Sequence, residues 1–96
     1  MEPLPLELPP AQAMERLKAI LARRPRTEIV EEDAGYLHAT ETSALLRFVD
    51  DVEFELDGDA GEIHFRSASR VGWSDLGVNR RRMKEIRAAY VSSGTA

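Results

Sequence analysis

The residues best suited to chemistry fall in one stretch, Arg66-Ser67-Ala68-Ser69-Arg70-Val71-Gly72-Trp73-Ser74-Asp75-Leu76-Gly77-Val78-Asn79-Arg80. Arginine donates through a planar fork that matches phosphate or carboxylate. Ser74 and Asp75 are both suited to cap a helix there, and a helix start offers unpaired amides and the positive end of a dipole. One reading is therefore a pocket for a small anion, or for an acidic group on a partner. Arg66, Ser67, Ser69, Arg70, Ser74, Asp75, Asn79 and Arg80 would form it. The same side chains support a second reading. Asp50 and Asp51 precede a strand, with Glu53 a supporting acid on it, and Asp75 sits at the helix start. Arg66 or Arg70 pairing with Asp50, Asp51 or Asp75, while Ser74 and Asn79 satisfy loop backbone, would make a structural clasp. In that case Arg70→Ala removes the partner of a buried acid and lowers stability by about 1–3 kcal/mol.

A third arrangement is enzymatic: Asp50, Asp51 or His64 as acid–base groups of a hydrolase, with Arg66 or Arg70 stabilising an oxyanion. No established catalytic signature supports it. The chain has no glycine-rich phosphate loop followed by lysine, no dinucleotide fingerprint and no paired-histidine zinc helix. Its two histidines, His38 and His64, fall on strands flanking a third. That places them about 9.6 Å apart across a sheet, too far to share a zinc ion. Asp50 and Asp51 are adjacent on a strand and point to opposite faces. No metal and no cofactor is implied.

The elements that must position these groups follow from periodicity. Residues 1–9 are proline-rich and read as an extended arm. A helix begins near Pro9-Pro10 and runs to about Arg24, with Met14, Leu17, Ile20 and Leu21 on one stripe. Strands are expected at Thr27–Glu32, Tyr36–Thr42, Asp51–Asp57 and Glu62–Ser69. Val52, Phe54 and Leu56 of the third and Ile63 and Phe65 of the fourth are on the inward parity. His38, Thr40, Glu53, Glu55, His64 and Arg66 then share the opposite face. A closing helix carries Met83, Ile86 and Tyr90 inward, with Arg81 and Arg82 on a solvated face near Glu85. Residues 92–96 should fray.

The order α-β-β-β-β-α gives an α+β two-layer sandwich: a four-stranded antiparallel sheet with both helices on one face, one domain over 10–91. Ala44-Leu45-Leu46-Arg47-Phe48-Val49 either closes the core at one end or forms an exposed ridge for a partner. The open sheet face has acids and no aromatic platform, so nucleic acid is not expected as a partner.

Composition sets the outer limits. Ninety-six residues at 43% hydrophobic and 31% charged suit one soluble domain with a single modest core. The absence of cysteine excludes disulfides, thiolate metal sites and cysteine nucleophiles. No apolar run is long enough to span a membrane. The start, Met1-Glu2-Pro3-Leu4-Pro5, carries an acid and prolines where a secretory signal needs bases and an apolar stretch, which points to the cytoplasm. The formal charge is −4, yet residues 66–87 hold seven bases against two acids. Such asymmetry indicates a binding surface or one half of the fold neutralising the other.

Four ordered blocks carry a family resemblance: Gly35-Tyr36-Leu37-His38-Ala39; Phe48-Val49-Asp50-Asp51-Val52-Glu53-Phe54; Ile63-His64-Phe65-Arg66-Ser67-Ala68-Ser69-Arg70; and Ser74-Asp75-Leu76-Gly77-Val78-Asn79-Arg80. The chain resembles the domain of unknown function 1499 family, from about Pro3 to Tyr90. That is a bacterial and plastid group to which no biochemical activity is attached. The resemblance implies motif positions at Asp50, Asp51, Glu53, Arg66, Ser67, Ser69, Arg70, Ser74, Asp75, Asn79 and Arg80. The chain departs from many members in lacking a short cysteine-containing segment before the first helix. Taken together, the expectation is a non-enzymatic binding or interaction module. The hydrolase is the alternative, and a scaffold subunit of a complex a further one.

Overall fold

The computed structural model describes residues 3–70 and 76–94. In chain order the elements are β1 (Leu4–Pro5), α1 (Pro10–Arg23), β2 (Thr27–Asp33), β3 (Tyr36–Thr42), β4 (Val49–Asp57), β5 (Glu62–Ser69) and α2 (Leu76–Gly94). The fold is α+β, with two helices and an antiparallel sheet. The sheet has five strands, in the order β1-β5-β4-β3-β2, where four were expected. The fifth comes from the proline-rich lead-in: Leu4 pairs with Ile63 and Pro5 with Glu62. Proline removes one donor, which an edge strand tolerates. Leu6 N–H donates to the Gly61 carbonyl (2.9 Å), the Tyr90 hydroxyl donates to the Pro5 carbonyl (3.2 Å), and Leu4 is fully buried. α2 runs through Gly94.

Local chemistry sets the element ends. α1 starts on Pro10 with Pro9 as its cap. The Pro9 carbonyl accepts from the Gln12 and Ala13 amides, and the prolines forgo only first-turn donors that have no intrahelical partner. It stops at Arg24, whose backbone is extended because Pro25 disfavours the helical region for the residue before it. Between β4 and β5, Asp57 Oδ1 accepts from the Ala60 amide (3.1 Å). Gly61 takes the left-handed conformation (φ 68°) that glycine adopts without steric penalty.

Period-two alternation then sorts the residues of β3, β4 and β5, whereas β2 shifts register between Ile29 and Glu31. Leu37 opposes Phe54, Ala39 opposes Val52, and Leu56 opposes Ile63. Leu37, Ala39, Val52, Phe54 and Ile63 join Ala13, Met14, Leu17, Ile20 and Leu21 of α1 and Met83, Ile86 and Tyr90 of α2 in one core cluster, with Leu56 packed against it. The parity that makes Leu37 and Phe54 core residues also points Glu41, Asp50, Ser67 and Ser69 towards the helices.

Candidate functional site

The candidate stretch is divided by its own strand. Ser67 and Ser69 lie on the helix side of β5, with Asp50 opposite Ser69 on β4; Arg66 lies on the open side, paired across with Glu53. Ser74 and Asp75 lie outside the described residues. The stretch expected to form one site is therefore split between opposite faces of the sheet.

On the helix side, one guanidinium gathers the polar groups. Arg82 is only 5% exposed. Its Nη2 donates to Asp50 Oδ2 (2.6 Å), its Nε to Glu41 Oε1 (2.9 Å), and its Nη1 to Asn79 Oδ1 (2.8 Å) and Ser67 Oγ (3.0 Å). Ser67 Oγ donates in turn to Asn79 Oδ1 (2.6 Å). Glu41 is also held by Arg24, through Nε at 2.8 Å and Nη2 at 3.2 Å, and by the Thr27 hydroxyl at 3.1 Å. Burial pushes the Glu41 carboxyl up, but hydrogen bonds and charge from Arg24 and Arg82 outweigh it and hold the group at about 2. Two guanidiniums thus face two partly buried carboxylates. Among the described residues no buried side-chain nitrogen or oxygen lacks a partner. This is a satisfied clasp, and its centre is Arg82. Of the arginines expected to clasp the acids, Arg70 pairs with Asp51 on the open face, and neither Arg66 nor Arg70 takes part in this cluster. Arg82 was expected on a solvated face.

Two residue patterns announce the clasp. Arg82 sits four residues before Ile86 and three after Asn79, on the apolar stripe of α2 rather than off it. Glu41 and Asp50 continue the inward parities of Leu37-Ala39 and Val52-Phe54. A base on an apolar helix stripe and acids at inward strand positions must meet, because a buried charge without a partner is severely destabilising.

The open face carries a separate, shallower arrangement. Arg70 makes a fork to Asp51, Nε to Oδ2 at 2.9 Å and Nη2 to Oδ1 at 3.0 Å; His38 Nε2 lies 2.7 Å from the same Oδ1. The Arg70 hydrogen bonds, and secondarily His38, keep the Asp51 carboxyl down at about 2 against the opposing effect of burial. Beside it the Tyr36 hydroxyl donates to Glu53 (2.9 Å), and burial together with that carboxylate raises the phenol to about 12. Arg66 and Arg80 are exposed. His64 pairs instead with Asp57 (3.1 Å), at the far end of the face. Asp50, Asp51 and His64, the proposed acid–base groups of a hydrolase, therefore do not meet in one site.

Next to the buried clasp, the segment 43–48 forms a wall. Ser43 N–H donates to the Phe48 carbonyl (2.9 Å) and Phe48 N–H to Ser43 Oγ (2.9 Å), closing a tight loop. Leu45 and Leu46 stand 88% and 63% exposed at its tip. With Phe48 and Val78 they line a cleft of about 500 Å³ whose polar side is Asp50, Ser69 and Asn79. Three of the sequence candidates and the apolar ridge thus converge on one concavity.

The family described as protein of unknown function, DUF1499, has a model that matches residues 1–90. The chain belongs to this family. No curated protein and no solved structure matches it. Within this DUF1499 chain, no helix among the described residues is long and apolar enough to cross a membrane. Among the same residues, no group of three or more His, Cys, Asp or Glu side chains is placed to hold a metal ion.

Proposed function

We propose that this DUF1499 domain is a non-enzymatic binding module, in which the Arg82 cluster is a structural clasp and the adjoining cleft is the ligand site. The observation that carries this reading is the meeting of the 43–48 ridge with Asp50, Ser69 and Asn79 around one cleft of about 500 Å³. Concave sites with apolar walls and a few fixed polar groups are the usual form of small-ligand sites. Of the guanidiniums that suggested an anion, Arg66 and Arg70 lie on the open face and Arg80 is exposed on α2, while Arg82, beside the cleft, is already neutralised by Glu41 and Asp50. A second carboxylate brought beside Asp50 would meet like charge. The occupant that suits the cleft has an apolar body and a neutral hydrogen-bonding head, either a small molecule or a side chain of a partner.

The test is a ligand-observed NMR screen of small alcohols, amides, indoles and short-chain acids against wild type and Leu46→Ser. Leu46 is exposed, so the variant should melt with wild type while losing the neutral amphipathic hits. Hits confined to acids, or hits unaffected by Leu46→Ser, would refute the cleft as the site.

A further inference from the structure

Two described residues other than glycine have a left-handed backbone, Arg26 (φ 52°) and Arg47 (φ 59°). Side-chain-bearing residues seldom adopt it, and such strained positions cluster where a ligand is held. Both arginines line one cleft of about 380 Å³, together with Thr40, Thr42 and Glu28. The backbone explains the convergence. Thr42 N–H donates to the Arg26 carbonyl (3.0 Å) and Arg26 Nε donates to the Thr42 carbonyl (2.9 Å), so Arg26 is tied to the end of β3. The closed 43–48 loop returns Arg47 to that same end from the other side. Arg24, Arg70 and Arg82 are all ion-paired, whereas Arg26 and Arg47 form no ion pair with a carboxylate among the described residues.

We propose that this cleft, on a different face from the amphipathic one, is a binding site for hydrogen phosphate. The Arg47 guanidinium, the Nη donors of Arg26 left over from its Nε bond to the Thr42 carbonyl, and two threonine hydroxyls offer donors to oxyanion oxygens. Glu28 adds one carboxylate, which repels a bare anion but accepts a hydrogen bond from an ion that keeps a proton. Hydrogen phosphate has that proton at neutral pH; sulfate and phosphodiesters do not. The donor set alone would take any oxyanion. Glu28 selects among them.

The experiment is a titration of the folded chain with inorganic phosphate at constant ionic strength, followed by amide and arginine side-chain resonances, with sulfate in parallel. Saturable shifts confined to residues 26–28, 40–42 and 47 are expected with phosphate. Arg26→Gln and Arg47→Gln should each weaken binding about tenfold, the loss expected for a charge-assisted contact. Lys84→Gln, on the exposed side of α2, should leave it unchanged. Glu28→Gln should bring sulfate binding up to that of phosphate. Arg47→Gly, which suits a left-handed backbone, serves should the glutamine variants fold poorly. The proposal is overturned by non-saturable shifts, by equal phosphate and sulfate affinity in wild type, or by arginine variants that bind like Lys84→Gln.

Discussion

Arg82 and Arg70 both pair with aspartate, and their surroundings decide what each is worth. Removing the Arg82 side chain leaves Glu41 and Asp50, both largely buried, facing one another with one guanidinium fewer. Breaking such a buried network by deleting one partner costs about 3–5 kcal/mol, so Arg82→Ala should show a loss of that size in urea unfolding. Arg82→Lys should also be markedly destabilised, since an ammonium cannot supply four contacts in one plane. Arg70, by contrast, is 54% exposed in its side chain. Exposed pairs are screened by water and contribute little, so Arg70→Ala should melt close to wild type, below the loss that a buried partner implied. The reversal shows what was legible at this scale. Strand parity gave the faces of Asp50, Asp51 and Arg66 correctly. The clasp was hidden because three consecutive arginines read as a solvated patch, although only Arg82 among them lies on the Ile86 stripe.

Among elements, β1 was the least legible. Two residues cannot display a period, and Pro3, Pro5, Pro9 and Pro10 signal an extended segment without saying whether it pairs. What fixes it is tertiary: a free edge on β5, a socket for Leu4 and the Tyr90 hydroxyl reaching the Pro5 carbonyl. The longer elements needed no such help, because β3 and β4 hold inward apolar residues at alternate positions and α1 has four on one stripe. If β1 is integral to the core, Leu4→Ala should destabilise by about 2–5 kcal/mol, the range for truncating a buried leucine. Tyr90→Phe should remove only the hydrogen bond, about 1 kcal/mol, and speed amide exchange at Leu6 more than in α1. An arm that merely lies on the surface would show neither effect in a denaturant melt.

At the scale of the whole molecule, part of the uneven charge of the sequence is neutralised internally. The basic closing segment sends Arg82 into the acids at the inward ends of β3 and β4, and Arg70 to Asp51. This arrangement makes stability depend on pH in a definite direction. Glu41 and Asp51 each sit at about 2 in the folded chain, below their ordinary values of 4.5 and 3.8. The unfolded chain therefore binds these protons more readily than the folded one, and stability falls as pH is lowered through that interval. Their contribution is complete above about pH 5 and is lost progressively between about pH 4.5 and 2. Of the two, Glu41 is the better buried and is held by two arginines, so it should carry more of the acid limb. Glu41→Gln should be less stable than wild type at pH 7, because Arg24 and Arg82 lose a shared counter-charge. Its stability should then decline less steeply between pH 4.5 and 2, since one proton-linked group is gone. Urea midpoints of both proteins across that interval decide the matter. Parallel acid limbs would mean that the Glu41 carboxylate does not hold the clasp together.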